Sequence, residues 1–98
     1  MTLKLIPVHP GEILLDEFIV PLGITQNRLV VAVGVPARRI NEIVHGKRRI
    51  TADTALRLGR YLGNSAQFWI NLQTHYDLEL ERDALAETLE AIQPLQRA

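Results

Sequence analysis

The sequence predicts an all-α fold of five short helices followed by a C-terminal helical extension. Three observations carry that reading. Glycine and proline break the chain into short segments at Pro21/Gly23, Gly34/Pro36, Gly46 and Gly63. Apolar residues within each segment recur at helical spacing. Thr25, Thr51 and Ser65 stand where helices need a side-chain oxygen at the N-cap.

Pro10 suits a first helical position, with Glu12 favourably placed in the first-turn field. The run Gly11–Val20 turns Ile13, Leu14 and Phe18 inward, and Pro21 with Gly23 ends it. Thr25 caps a second helix, Gln26–Val33, with Leu29 and Val33 on one face. Gly34 stops that helix, and Pro36 opens a third, Pro36–Val44, with Ile40, Ile43 and Val44 inward and Gly46 at its end. Thr51 caps a fourth helix reaching Leu62, with Asp53 in its first turn and Gly63 as terminator. Ser65 caps a fifth, in which Phe68, Trp69, Leu72 and Tyr76 follow helical spacing. Asp77–Glu81 alternates polar and apolar residues, as a strand would. A lone strand leaves its backbone unpaired, so the helix is expected to continue, whole or slightly broken. Ala84–Ile92 is rich in Ala, Leu and Glu, with Leu85, Leu89 and Ile92 on one face.

Composition narrows the function. The chain has 98 residues, 47% hydrophobic and 22% charged, which fits one small globular domain and excludes disorder throughout. No apolar run approaches the roughly 18 residues of a membrane span, and Met1–Pro10 lacks the apolar core of a signal peptide. The absence of cysteine excludes disulfides, thiolate metal sites and cysteine nucleophiles, and the expected compartment is the cytoplasm. His9, His45 and His75 are too scattered to bind a metal, and Ser65, the only serine, is needed as a cap. With no nucleophile, metal ligands or phosphate-cradling glycine loop, neither an enzyme nor a cofactor is expected. The net charge of zero hides a division. Residues 1–60 hold nine Lys/Arg against five Asp/Glu, a net +4; residues 61–98 hold two against six, a net −4. Such a split points to a polyanion site in the first part and an acidic face in the second.

The segment Gln26–Val44 is the informative one. Two short helices joined by Gly34-Val35-Pro36 must cross steeply, which is the helix-turn-helix arrangement whose second helix enters the DNA major groove. Leu29, Val33, Val35, Ile40 and Ile43 hold the pair together, which turns Ala37, Arg38 and Asn41, and partly Arg39 and His45, outward; with Pro36, which opens the third helix, these are the candidate DNA-binding residues. Arginine bonds a guanine edge in bidentate fashion, and asparagine an adenine edge. His45-Gly46-Lys47-Arg48-Arg49 follows as a cationic loop suited to phosphates, and Gln26 is placed to give its amide to another. A homodimer is expected on DNA, because one short recognition helix spans few base pairs.

His9-Pro10-Gly11-Glu12-Ile13-Leu14, then His45-Gly46-Lys47-Arg48-Arg49-Ile50-Thr51, Asp53-Thr54-Ala55-Leu56-Arg57-Leu58, Phe68-Trp69-Ile70-Asn71-Leu72-Gln73 and Tyr76-Asp77-Leu78 occur in that order. Together they resemble the HigA antitoxin family, within the Xre, lambda-repressor-like group of helix-turn-helix proteins. The resemblance covers about residues 8 to 80. It implies a lambda-repressor-like DNA-binding domain over residues 1–80; residues 81–98 match no part of it and are expected, from their own composition and spacing, to form a helical extension or tail. It also implies an antitoxin that binds and neutralises a HigB-type mRNA endonuclease toxin and represses its own operon as a dimer on operator DNA. Two departures stand in the second helix: Val30 replaces the usual small residue between the crossing helices, and Val31 makes the outer face unusually apolar.

Other readings stay open from the sequence. A regulator of the same fold without a toxin partner differs by nothing but the Phe68–Gln73 motif, and a DNA-free interaction module would leave the basic loop merely solvated. Phe68, Trp69 and Tyr76 read as core or dimer-contact residues. Arg57 and Arg60 fit a solvated face as well as phosphate contact, and the acids from Asp77 to Glu90 fit a plain helix surface.

Overall fold

The computed structural model describes residues 6–96, all of whose regular structure is helical. Lys4 and Arg97, which enter the charge division, lie outside the described residues. The elements are α1 (Pro10–Ile13), continued by a π-helical turn (Leu14–Ile19), α2 (Gln26–Val33), α3 (Ala37–Val44), α4 (Ala52–Leu62), α5 (Ala66–Ala84) and α6 (Ala86–Ala91). No helix among the described residues is long and apolar enough to cross a membrane.

The first helix departs from the expected plain α-helix. Val20 N–H bonds the Leu15 carbonyl, and Ile24 N–H the Ile19 carbonyl, at 3.0 and 3.2 Å. Both are i→i−5 bonds. The core accounts for the widening. Leu14 and Ile19, five residues apart, are both buried, yet an α-helix would turn them about 140° from each other. The wider turn brings both onto one face. Ile13 and Phe18, expected inside, are only partly buried against that core.

Two boundaries and one cap also differ from expectation. Pro36 is the N-cap of α3 and not its first helical residue, because its ψ of 141° is extended. Thr51 occupies the N-cap position of α4, but its side chain caps nothing. The alternating stretch after Tyr76 continues α5 whole, as expected, but the helix expected over Ala84–Ile92 is interrupted at Leu85, whose φ/ψ of −101°/8° separates α5 from α6. Thr25 and Ser65 cap as expected, accepting from the N–H groups of Arg28 and Phe68 at 3.0 and 3.1 Å.

Leu29, Ile40, Ile43, Ile50, Leu58 and Trp69 form the centre of the core with Leu14. Trp69 is fully enclosed, its indole N–H donating to Asn64 Oδ1 at 2.9 Å. Phe18 and Phe68 pack around it with ring centroids 5.1 and 5.0 Å away. Val30 is half-buried against this core, whereas Val31 is 74% exposed. The α1–α3 approach depends on Gly11, since a Cβ there would collide with the carbonyl oxygen of Ile43.

Two polar contacts tie α5 to the rest. Gln73, 2% exposed, accepts from the buried N–H of Ile50 at 2.7 Å and donates to Asp77 Oδ1 at 2.9 Å. His9 caps α1, its Nδ1 accepting from Gly11 N–H at 2.9 Å, while its ring packs edge-on against Tyr76 at 4.9 Å.

Each contact yields a prediction. Gln73→Leu strands the Ile50 N–H in the core and is expected to lower unfolding free energy by about 1–3 kcal/mol, read from the urea midpoint. His9 must be neutral to accept at Nδ1. Burial holds its pKa below the ordinary 6.5, against the opposing pull of Asp77 and Glu12. Its folded value is therefore below its unfolded one, so its contribution is full above pH 6.5 and is lost as the pH falls through the lowered value. Between about pH 7.5 and pH 5.5, melting temperature should fall more in the native protein than in His9→Asn, which keeps a cap acceptor that does not titrate.

Candidate nucleic-acid interface

The α2–α3 crossing is built from its turn. Gly34 takes φ 70°, ψ 41°, a left-handed conformation that glycine adopts without strain, and its N–H closes on Val30. Val35 plugs into the core, and Pro36, extended, sets the chain for α3. Ile40 and Ile43 are fully buried, which fixes the rotation of α3 about its axis. The opposite face is thereby turned to solvent. Pro36, Ala37, Arg38, Asn41 and His45 are exposed, and Arg39 is half-buried. Gln26 lies half-buried at the first position of α2, beside the exposed Asn27 and Arg28, which the sequence reading passed over. Lys47, Arg48 and Arg49 are exposed on the loop behind α3.

The cations of this surface are not loose. Glu42, on α3, receives Arg48 through Nε at 3.0 Å and Nη2 at 2.7 Å, and Arg38 at 3.4 Å. Arg48's hydrogen bond holds the Glu42 carboxyl below the ordinary carboxylate range. Asp53 binds Arg57 and Arg39, each at 2.8 Å, and is lowered in the same sense, chiefly by Arg57. Arg49 pairs with Asp77 at 2.8 Å, so the loop is linked to α5 through Asp77 and Gln73. Among the described residues, Lys47 alone of these loop cations has no ion pair. His45 places Nδ1 2.7 Å from the carbonyl of Asn41, which fixes its ring at the end of α3.

Arg39, Arg48, Arg49, Thr51, Asp53 and Thr54 line an open cleft of about 420 Å³ where α3, the loop and the start of α4 meet. Its lining combines three arginines and two threonines with the Asp53 carboxylate. Arg57 has a role the sequence reading missed. Its Nη1 donates to the carbonyls of Val33 and Gly34 at 2.8 and 3.1 Å, satisfying the end of α2 at the turn. The available signal was Asp53 four residues before Arg57, a spacing that aims the guanidinium along α4. No group of three or more His, Asp or Glu suited to a metal ion occurs among the described residues.

Comparison with known proteins agrees with this geometry. Residues 15–69 match the family described as helix-turn-helix. The chain is 55% identical over 73 residues to virulence-associated protein I of Dichelobacter nodosus, covering 74% of this chain and 68% of that one. It is 37% identical over 89 residues to antitoxin HigA-1 of Vibrio cholerae, covering 91% and 84%. The fold superposes on Pseudomonas aeruginosa antitoxin HigA, solved with the higBA promoter, at a TM-score of 0.87 and 46% identity over 92% of this chain and 99% of that one. With the helix-turn-helix match spanning more than half its length and these identities running across most of both partners, the chain belongs to the helix-turn-helix family and, within it, to the HigA antitoxins.

Proposed function

We propose that the chain is an antitoxin that binds and neutralises a HigB-type toxin and represses its own operon by placing α3 in the major groove of operator DNA. The observation that carries the DNA half is the exposure of Ala37, Arg38 and Asn41 on a helix whose opposite face is locked by Ile40 and Ile43. In this reading Arg38 and Asn41 meet base edges, and Ala37 offers a small apolar contact beside them. Gln26, Lys47 and Arg48 meet phosphates, Arg39 and Arg49 line the phosphate cleft, and Pro36 and His45 flank the two ends of α3. The toxin half is supported by membership among the antitoxins and by the likeness to a relative solved with a promoter of a paired operon. Residues 1–80 form the DNA-binding domain and residues 81–98 the extension. The protein works in the cytoplasm beside its operator, and the reading assigns it no reaction of its own.

The test has two arms. A gel-shift titration with the DNA upstream of its own gene should give a discrete complex that excess random DNA does not compete away. Co-expression with the product of the adjoining small gene should give co-purification and rescue of growth. A protein that shifts its operator but neither binds nor rescues would be a regulator without a toxin.

Within the DNA surface the roles should separate. Arg38→Ala and Asn41→Ala are each expected to cost about 1–3 kcal/mol of preference for operator over random DNA. Lys47→Ala should weaken both kinds of DNA alike and lower the slope of log K against log salt by about 0.9. Fluorescence-anisotropy titrations at several salt concentrations read both quantities.

A further inference from the structure

In the sequence, Arg57 and Arg60 are equivalent cations of α4, each fitting a solvated face as well as phosphate contact. Their surroundings are not equivalent. Arg60 is exposed, with no hydrogen bond or ion pair among the described residues. Arg57 is turned back onto the protein. Its Nε donates to Asp53 Oδ1 at 2.8 Å, and its Nη1 donates to the carbonyls of Val33 and Gly34 at 2.8 and 3.1 Å. The same Asp53 oxygen accepts from Arg39 Nη1 at 2.8 Å. Two side chains of α4 thus join the end of α2, the turn and the flank of α3 at one point.

Each member suits its place in this junction. Asp53 stands in the first turn of α4, where the helix field favours a carboxylate, and Arg57 follows one turn later on the same face. The guanidinium meets the last carbonyls of α2, whose partial negative charge favours a cation. With Nε and Nη1 committed to the protein, only Nη2 is left for anything else.

We propose that Arg57 is a positioning residue for sequence readout: tethered by Asp53, it fixes the α2–α3 turn, and with it the seat of α3 in the major groove, without itself contacting DNA. This rests on the operator-binding reading above and names a residue that sets its specificity. Three physical points favour it. The bonds lie at the surface, where water can satisfy the two carbonyls and where ion pairs contribute little stability. Water does not, however, hold α4 at a set distance from a turn 23 residues away in the chain. Base readout needs its side chains held to about 0.5 Å, whereas phosphate contacts carry no sequence information. Loosening the turn therefore erodes preference among sequences before it erodes attraction to the DNA backbone.

The experiment measures affinity of the full chain for operator and for random duplex at several salt concentrations, in four variants. Arg57→Gln and Arg60→Gln each remove one charge from α4, three residues apart. Arg57→Lys keeps the charge but replaces the planar fork by a single nitrogen. Asp53→Ala cuts the tether and adds a net positive charge. All three positions are exposed, so circular dichroism should show native helix content throughout. The ratio of operator to random affinity should fall by about tenfold in both Arg57 variants and in Asp53→Ala, and stay native in Arg60→Gln. Random-duplex affinity should move the other way in Asp53→Ala, rising as Arg39 is released. The salt slope of Arg57→Lys should equal that of the native protein, and that of Arg57→Gln should equal that of Arg60→Gln.

A native ratio in Arg57→Gln would overturn the proposal. So would full rescue by Arg57→Lys, which would make charge and not geometry the cause. A slope lower by about 0.9 in Arg57→Gln than in Arg60→Gln would assign Arg57 a phosphate instead. If the native protein itself showed no preference for its operator, the DNA reading would fall and this proposal with it.

Discussion

The buried amide of Gln73 is the contact on which the placement of the DNA surface depends. The Ile50 N–H it receives belongs to the first buried residue after the cationic loop. An unpaired N–H at that depth carries a desolvation cost that solvent does not relieve. Gln73 removes the cost with its oxygen and uses its nitrogen to orient Asp77, which in turn holds Arg49. One neutral side chain thus fastens both ends of the segment Arg49–Ile50 to α5. From the other side, Gly11 lets α1 sit directly on the end of α3, and His9 packs beneath the turn at Gly46. The end of α3 is thus held by α1, and the loop that follows it by α5.

Much of this arrangement was legible in the sequence, and what was not has identifiable causes. α2 and the end of α3 follow from Thr25, Gly34 and Gly46, because caps and left-handed glycines act locally and leave a mark in the residue type. The outward set Ala37, Arg38 and Asn41 follows from the spacing of Ile40 and Ile43 alone. The π-helical turn does not, since it is the joint burial of Leu14 and Ile19 against distant helices that selects it. Thr51 has the right residue type for a side-chain cap but makes none, so residue type does not settle geometry. The pairing of Arg49 with Asp77 spans 28 positions and is visible only once α5 has docked.

The chain also separates its exposed chemistry over different elements. The α3 surface and following loop hold the cations, while the C-terminal half of α5 and α6 hold exposed leucines set among acids. Between them lies the enclosed core around Trp69. A division of this kind lets one surface be occupied without dismantling the other.

The carboxylates Glu42 and Asp53 have a consequence for ion exchange. In the free protein they serve as fixed counterions: Glu42 for Arg38 and Arg48, Asp53 for Arg39 and Arg57. These are solvent-exposed pairs, so they yield readily to a stronger acceptor. When a phosphate takes one of the arginines, the abandoned carboxylate is left close to the nucleic acid and draws a mobile cation to itself. The cations shed by DNA are thus offset in part by cations gained on the protein. The net number released would then be smaller than the number of arginines engaged, and because these arginines are already paired in the free protein, their hold on stray polyanions is weakened.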